Sequence, residues 1–244
     1  HCRDTLSLHD ALPICLNKEK GKWFNNVNKR YDALNDTLLE ECFLPRLLLS
    51  PSDADYSFKM VKFLHNSSTP HFRTLGLLAR LFRGNRLRSI IFSCTIREAE
   101  CFGRFLKLIL GDLARWHASK AIYEKEAWGP NQDLPGFAKS IHETTSKPVA
   151  LLEYEDFRRI FFGWHKNLNT ALKSCLGGSE WMHIRNSITV LKSVVEHFPA
   201  VDFMGKAFQN ALITLAKREE GKREDLSLLA KIGRASCRER VSLQ

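Results

Sequence analysis

Apolar residues recur every three or four positions along almost the whole chain, and this spacing constrains the fold more than any other feature of the sequence. A period of three and four residues lines one face of an α-helix. A half-buried β-strand needs strict alternation and β-branched residues instead, and no stretch of this chain sustains that pattern. The sequence therefore predicts an all-α fold.

The clearest predicted helix opens at Thr95. Thr95 and Glu98 have the spacing of a capping box, in which the threonine oxygen and the glutamate carboxylate each accept a hydrogen bond from an otherwise unpaired backbone N–H. The apolar face that follows runs from Phe102 to Trp116, and charged residues lie opposite it. We expect this helix to continue to about Glu126.

Further helices with short connectors are predicted on both sides of this one. Gly177-Gly178 is expected to end one of them with a glycine in the left-handed conformation, and Ser179 is expected to cap the next. Because short connectors make neighbouring helices antiparallel, we predict an α-solenoid-like, HEAT-like stack of antiparallel helical hairpins, without a repeat of fixed period. The predicted helices cover residues 27–42, a segment opening at Ser50-Pro51, and residues 72–82, 154–175, 181–198 and 204–215.

Residues 127–150 interrupt the helical pattern. They are rich in Pro, Gly, Ser and Thr, which favour turns over regular elements. We therefore predict one long loop in this region, with a single helical turn at Phe137 to His142.

Both ends of the chain read as translated sequencing adapter. Asp4 to Ile14 can be back-translated into a standard short-read adapter, and Ile232 to Ser242 can be read from the reverse complement of the same DNA string. A single string that explains both ends is not expected by chance. We therefore expect residues 1–15 and 232–244 to be adapter-derived and residues 16–231 to be one helical scaffold fragment, and we give the two ends no function.

The charge of the remaining chain is positive and dispersed. Residues 16–231 hold 33 Lys and Arg against 24 Asp and Glu, a formal net charge of +9. Such a surface suits RNA or an acidic partner, or is simply solvated. No apolar run approaches the ~18 residues that a membrane-spanning helix needs, so no membrane partner is expected.

The internal cysteines lie in or beside apolar runs and form no CxxC pair. This usage predicts buried, reduced thiols rather than disulfides or a metal site. The four residues concerned are Cys42, Cys94, Cys101 and Cys175.

Sequence motifs for catalysis are missing. The chain has no GxxxxGK[ST], GxGxxG, GxSxG or HExxH, so the usual phosphate loop, nucleophile elbow and zinc helix lack their geometry. The Trp–His pairs at 116–117 and 164–165 each place the Trp on an apolar stripe, which predicts a core Trp beside a boundary His. We predict no enzyme, no cofactor, no metal site and no small-molecule substrate; a cleft where His and carboxylates converge would argue otherwise.

The strongest candidate binding surface is a cluster of arginines around a predicted helix end. Guanidinium groups suit phosphate and carboxylate, but cations near a helix C-terminus also complement the helix dipole without any ligand. Both interpretations stay open. The candidate residues for RNA or partner binding are Arg80, Arg83, Arg86 and Arg88, together with Arg104 and Lys107 on the polar face of the helix that opens at Thr95.

Several short stretches of sequence resemble the C-terminal helical region of the THO complex subunit 2 family. They occur in the same order as in the family and cover nearly all of Lys18 to Ala230. Their sequences are most similar to those of members from filamentous fungi. The stretches are Asn85 to Phe92, Arg115-Trp116-His117, Tyr123 to Glu126, Leu152 to Arg158, Trp164-His165-Lys166 and Met182 to Asn186.

This resemblance implies a non-catalytic scaffold in the nucleus. Members of the family hold the other THO subunits together, and they help to load a DEAD-box RNA helicase of mRNA export onto nascent mRNA, which couples transcription to mRNP assembly. The resemblance brings no catalytic residues and no cofactor. The alternative function is a basic helical module that binds RNA or an mRNP directly.

Overall fold

The fold was determined from a computed structural model, which describes residues 8–25, 27, 30–142, 145–199 and 201–242. Side chains are described for the same ranges except residues 8–13, 236 and 238–242.

Helices dominate the described part of the chain. They are α1 (Leu8–Glu19), α2 (Tyr31–Thr37), α3 (Leu44–Leu47), α4 (Pro51–Asn66), α5 (Thr74–Leu81), α6 (Gly84–Ser93), α7 (Ile96–Ala118), α8 (Lys120–Tyr123), α9 (Tyr154–Leu176), α10 (Trp181–Val194), α11 (Asp202–Glu219) and α12 (Glu224–Ser242). Shorter turns flank them: 3-10 turns at Lys20–Lys22 and Pro135–Phe137, and π-helical turns at Leu38–Phe43 and Glu124–Trp128.

The helices pack side by side in a continuous stack. The long helix α7 lies against α4 on one side and α10 on the other, and α10 also contacts α9 and α12. The pair α11 and α12 closes the stack at its C-terminal end. This arrangement confirms the predicted all-α, solenoid-like fold.

Two predicted helix starts are confirmed in detail. At α4, the Ser50 hydroxyl accepts from the Asp53 backbone N–H at 3.1 Å, and Pro51 occupies the first helical position. At α7, the Thr95 hydroxyl accepts from the Glu98 N–H at 3.3 Å, while the Glu98 carboxylate accepts from the Thr95 N–H at 2.7 Å. Both helices therefore satisfy N–H groups that have no partner inside the helix.

The predicted caps between α9 and α10 are wrong. Gly177, with φ −76°, and Gly178 both lack the left-handed conformation, and α10 begins after Glu180 rather than being capped by Ser179. Arginine side chains from the far end of the stack hold this turn instead. Arg218 donates to the carbonyl of Gly178 at 3.0 Å, and Arg223 donates to the carbonyl of Ser179 at 2.8 Å.

The long central helix is shorter than predicted. It ends at Ala118 instead of reaching Glu126, because Ser119 adopts an extended conformation and starts a new helix, α8. The Ser119 hydroxyl accepts from the Ile122 N–H at 3.4 Å. A serine side chain offers the backbone such local hydrogen bonds in competition with the helix.

Residues 138–151 contain a small β-hairpin, so the prediction of one long loop with a helical turn at Phe137 to His142 is wrong. Strand β1 (Ala138–Ile141) pairs antiparallel with β2 (Pro148–Leu151), with an irregular register. The half-buried Arg73 side chain donates to the carbonyls of Ala138 and Lys139, and the Leu152 N–H donates to the Phe137 carbonyl at 2.9 Å. Partners distant in sequence thus order a segment whose composition predicts irregular structure.

An aromatic cluster joins the hairpin to the helices. The ring of Tyr123 stacks on Phe157 with centroids 4.6 Å apart, and both rings contact Phe137 edge to face. The Tyr123 hydroxyl and the Trp128 indole N–H both donate to the Leu152 carbonyl, at 2.8 and 3.1 Å. Burial raises the pKa of the Tyr123 phenol, so the hydroxyl remains a hydrogen-bond donor at all ordinary pH values.

Helices run through both predicted adapter segments. Helix α1 crosses the expected junction at residues 15/16, and α12 crosses the one at 231/232. Within α12, Gly233 and Cys237 are buried, the latter with 1% of its surface exposed. A helical conformation at the ends therefore gives no information on whether these residues are native.

The described cysteines are all free thiols. Burial raises the pKa of Cys94 and Cys175 to about 12, as expected for inert core thiols. Cys101 is buried as well, but Cys42 is exposed, so the prediction that all four internal thiols are buried is wrong for that residue. Cys2 lies outside the described residues.

Candidate functional site

The six predicted binding residues do not form one patch. Arg80 lies in the last turn of α5, Arg83 precedes α6, and Arg86 and Arg88 lie within α6. The predicted helix end is therefore followed by a new helix rather than by a turn. Arg104 and Lys107 lie on α7, where each is paired with a different neighbouring element.

Arg80 is held by two carboxylates of α2. Its guanidinium lies 2.5 Å from Asp32 and 3.3 Å from Asp36, and its side chain is only 12% exposed. The hydrogen bond with Asp32 raises the pKa of Arg80 further, against the opposing effect of burial. This arginine ties α5 to α2.

Arg86 is neutralised by carboxylates from the same part of the chain as those that pair with Arg80. Its guanidinium lies 3.0 Å from Asp36 and 2.7 Å from Glu40, and its side chain is 19% exposed. Asp36 thus bridges Arg80 and Arg86, which come from different helices. The geometry assigns both arginines to the packing of α5 and α6 on the preceding segment.

The two candidates on α7 are also ion-paired. Arg104 forms a two-point contact with Asp55 of α4, at 2.7 and 2.8 Å, and this hydrogen bond lowers the pKa of Asp55. Lys107 lies 2.7 Å from Glu196, just after α10. Both pairs are largely exposed, so they contribute little to stability.

Arg83 and Arg88 are the two candidates without an ion pair to a described carboxylate. Arg83 is exposed. Arg88 lies over the ring of Phe92, 5.3 Å from its centroid, and Phe92 stacks on His183 of α10 with centroids 4.0 Å apart. These residues keep their charge available at the surface of α6.

A cleft between α4, α5, α7 and the turn after α8 brings a histidine and two carboxylates together. Its volume is about 510 Å³, and His65, Asp112 and Glu126 are among its lining residues. Sequence analysis missed His65 because it lies within a helix that carries no catalytic motif. Such a convergence is the arrangement that would argue for an enzyme.

The histidine of this cleft is engaged by the protein through both ring nitrogens. The ring nitrogens of His65 lie 2.8 Å from the Thr74 hydroxyl and 3.0 Å from the backbone carbonyl of Glu126. A carbonyl only accepts, so Nε2 carries the proton and Nδ1 accepts from Thr74. Burial lowers the pKa of His65, which keeps the ring neutral in this arrangement.

The carboxylates of the cleft are held by cations and an indole. Glu126 accepts from Arg115 at 2.5 and 2.6 Å and from the Trp116 indole at 2.8 Å; burial opposes its ionisation, but these hydrogen bonds lower its pKa overall. Asp112 lies 2.8 Å from Lys62 and 3.2 Å from Arg115. The cleft is therefore a hydrogen-bonded junction between helices, and its groups hold one another in place.

The Trp–His pairs are parts of the core. Trp116 and Trp164 are buried as predicted, and His117 is half-buried at the edge. His165 departs from the prediction of a boundary residue, because it is 1% exposed and packs between Phe161 and Phe198. Among the described residues, no group of three or more His, Cys, Asp or Glu could hold a metal ion.

A buried glutamate that sequence analysis did not identify fastens the C-terminal hairpin. Glu219 is 2% exposed and accepts from Arg218 at 2.8 Å and from Arg223 at 2.6 Å. The hydrogen bond from Arg223 is the main cause that lowers the pKa of Glu219 to about 2. Since the same arginines reach Gly178 and Ser179, this cluster locks the α11–α12 turn onto the end of α9.

No helix in the described ranges is long and apolar enough to span a membrane.

Comparison with known proteins identifies relatives along nearly the whole chain. The sequence model of the family Tho2, transcription factor/nuclear export subunit protein 2, matches residues 6–234. THO complex subunit 2 of Homo sapiens is 33% identical over 218 residues, which cover 88% of this chain and 13% of the human protein. The subunits of Arabidopsis thaliana and Saccharomyces cerevisiae are 29% and 25% identical, over 88% and 84% of this chain and 11% of each relative. The chain thus spans only a small part of the length of these relatives.

Proposed function

The chain belongs to the Tho2 family, and from that premise we propose that it is a non-catalytic scaffold segment of a nuclear THO complex. Its partners in this proposal are the other THO subunits and the DEAD-box RNA helicase of mRNA export. The segment couples transcription to mRNP assembly through protein–protein contacts. The single observation that carries the proposal is the family match over residues 6–234, to relatives that are named as subunits of a complex.

The surface at the N-terminal end of the stack supports a role in protein contacts. Leu49 is 64% exposed and Tyr56 is 48% exposed. Tyr56 also lines an apolar groove of about 270 Å³ together with Trp23, Leu38 and Met60. Contiguous exposed apolar residues mark protein-interaction sites, because leaving them in water is unfavourable.

The engagement of the cleft residues supports the absence of catalysis. His65, Asp112 and Glu126 each serve a neighbouring helix through hydrogen bonds or ion pairs. A catalytic constellation would direct such groups toward a substrate.

Co-purification tests the scaffold proposal. The tagged chain, added to a nuclear extract that contains the complex, should retain named THO subunits. A Leu49→Glu/Tyr56→Glu variant should lose them, because burying two carboxylates in an apolar interface is costly. Val149→Glu is the matched control, since Val149 is equally exposed at 67% but lies on the hairpin.

Failure of the chain to retain any THO subunit, from an extract in which the full-length subunit retains them, would contradict the scaffold proposal. Equal retention by the Leu49→Glu/Tyr56→Glu variant and the wild-type chain would contradict the placement of the interface at Leu49 and Tyr56.

We further propose that the family segment is residues 16–231 and that both ends derive from adapter. The shared DNA string supports this division, although the family match extends into both end segments, to residues 6 and 234. Sequencing of the parent genomic locus tests it. Codons of the locus that continue to encode Asp4 to Ile14 and Ile232 to Ser242 would contradict the division.

A further inference from the structure

Cys42 is an exposed thiol in the π-helical turn Leu38–Phe43. Cys15, on α1, is exposed as well. The other described thiols are buried, and burial raises the pKa of each of them: Cys94, Cys101, Cys175 and Cys237. A buried thiol stays protonated and out of reach of a reagent. Among the described cysteines, Cys42 and Cys15 are therefore the ones that an electrophile can attack.

Cys42 lines an apolar groove at the N-terminal end of the stack. The groove has a volume of about 270 Å³, which is room for roughly nine water-sized groups of ~30 Å³ each. Leu38 lies about one helical turn before Cys42 and lines the groove with it. Trp23, Tyr56 and Met60 also line it, so its walls are mainly aromatic and aliphatic.

A buried hydroxyl faces the same groove. Ser57 of α4 lines the groove and is 1% exposed, and its hydroxyl has no hydrogen-bond partner within the described part of the chain. A buried polar group without a partner is costly, and a ligand that supplies the partner removes this cost. Arg46 lines the groove too, but its guanidinium is held 2.5 Å from Asp53. The groove thus combines apolar walls, one available hydrogen-bond donor and a nucleophile.

We infer that Cys42 is a site of covalent modification by an apolar α,β-unsaturated aldehyde, whose tail lies in the groove and whose carbonyl oxygen accepts from the Ser57 hydroxyl. Such an aldehyde carries an electrophilic carbon, an acceptor oxygen and an apolar chain, and each of these matches one feature of the groove. A charged thiol such as glutathione does not match apolar walls, because its ionised groups would lose their hydration there.

The modification is a conjugate addition that needs no further reagent. The Cys42 thiolate forms a carbon–sulfur bond to the β-carbon, and the π electrons of the carbon–carbon double bond move toward the carbonyl to give an enolate. The α-carbon then takes a proton from water, which replaces the proton that the thiol released. No group leaves and nothing is oxidised or reduced by a third reagent. A hydrogen bond from Ser57 stabilises the enolate oxygen as its charge develops.

The adduct also occupies the groove that Tyr56 lines. Its effect on protein contacts rests on the proposed scaffold function, because Tyr56 belongs to the surface that we propose for THO subunits. The modification itself is measured on the chain alone. A chain that is modified selectively at Cys42 but retains no THO subunit would contradict the scaffold proposal and not this inference.

The rates of adduct formation with two aldehydes test the inference on the full 244-residue chain. 2-Nonenal and 2-butenal share the same reactive group and differ only in the length of the apolar tail, so the ratio of their rates isolates the contribution of the tail. Mass spectrometry of peptides after borohydride reduction follows each cysteine separately. The ratio should be at least roughly tenfold at Cys42, where the groove holds the tail, and roughly one at Cys15.

Two substitutions connect this ratio to the groove. Met60→Gln makes one wall polar at similar size and should lower the ratio at Cys42 by roughly threefold or more. Met182→Gln is the matched control, since Met182 is 37% exposed on α10, and it should leave the ratio unchanged. Ser57→Ala should slow the reaction of Cys42 with 2-nonenal by roughly threefold or more, through the loss of one hydrogen bond. Circular dichroism checks that each variant keeps its helices.

Three results would overturn the inference. The first is an equal ratio of the two rates at Cys42 and Cys15, which includes the case that neither thiol reacts. The second is a ratio at Cys42 that Met60→Gln changes no more than Met182→Gln does. The third is a rate with 2-nonenal that Ser57→Ala leaves unchanged.

Discussion

The cations of this chain fall into two sets that the sequence does not distinguish. Arg80 and Arg86 are mostly buried and share Asp36, whereas Arg83, between them in the sequence, is exposed and has no ion pair to a described carboxylate. The residues are neighbours in one basic stretch. Their environments differ because the acids that neutralise two of them come from α2 and the π-helical turn after it, more than forty residues earlier in the chain.

The comparison teaches that an arginine cluster has to be judged by the carboxylates that face it. Paired arginines join helices, as Arg218 and Arg223 do around Glu219. Unpaired cations remain available to a polyanion. The predictions below test whether the two sets differ in this way, from the largest expected effect to the smallest.

Removal of Glu219 should have the largest effect on stability. Glu219→Ala leaves two arginines without their shared carboxylate and should lower the free energy of unfolding by about 2 kcal/mol, less than for a fully buried pair because both arginines are partly exposed. Glu220→Ala is the control, since Glu220 is 63% exposed and lies 3.5 Å from Lys231. Urea unfolding measures the stability of both variants. An equal loss of unfolding free energy in the two would contradict a structural role for the paired arginines.

The contribution of Glu219 should depend on pH. Its pKa is lowered from the ordinary value of 4.5 to about 2 in the folded chain, so the unfolded state binds the proton first as pH falls. The stabilisation is therefore complete above pH 4.5 and is lost as pH falls toward 2. The difference in stability between wild type and Glu219→Ala should shrink over this window, and a difference that stays constant would contradict the assignment.

Loss of Asp36 should have a smaller effect, because Asp32 and Glu40 remain. Asp36→Ala should lower the free energy of unfolding by about 1 kcal/mol, since Arg80 and Arg86 each keep one partner. Glu41→Ala is the matched control, because Glu41 is exposed in the same π-helical turn as Glu40. Thermal unfolding distinguishes the two, and equal melting temperatures would place Arg80 and Arg86 with the unpaired set.

The smallest effect is expected at the surface pair on α7. Arg104→Gln should change the free energy of unfolding by about 0.5 kcal/mol or less, because Arg104 is 53% exposed and surface ion pairs contribute little. Added salt should reduce this difference further. A loss comparable to that of Glu219→Ala would show that exposure does not separate strong from weak pairs in this chain.

Local signals in the sequence predicted the fold well where an element depends only on residues that are close together in the chain. The apolar period predicted the helices, and Ser50-Pro51 and Thr95–Glu98 predicted two helix starts that the structure confirms. The hairpin at 138–151 was missed because its order depends on Arg73 and on buried aromatic rings from distant helices. The helix break at Ser119 is equally hard to predict, since the apolar stripe continues across it.

The sequence predicts a basic binding stretch at residues 80–88, and binding there stays a prediction. The division of this stretch by Asp36 could not be predicted from the sequence, because Asp36 lies on another helix.

A double-mutant cycle at Glu219 and Arg223, measured by urea unfolding of the 244-residue chain, tests most directly the central claim that paired arginines join helices. The account predicts that the losses of unfolding free energy for Glu219→Ala and Arg223→Ala are not additive, with a coupling of about 1 kcal/mol, because the two side chains share one contact. Additive losses in the double variant would contradict it.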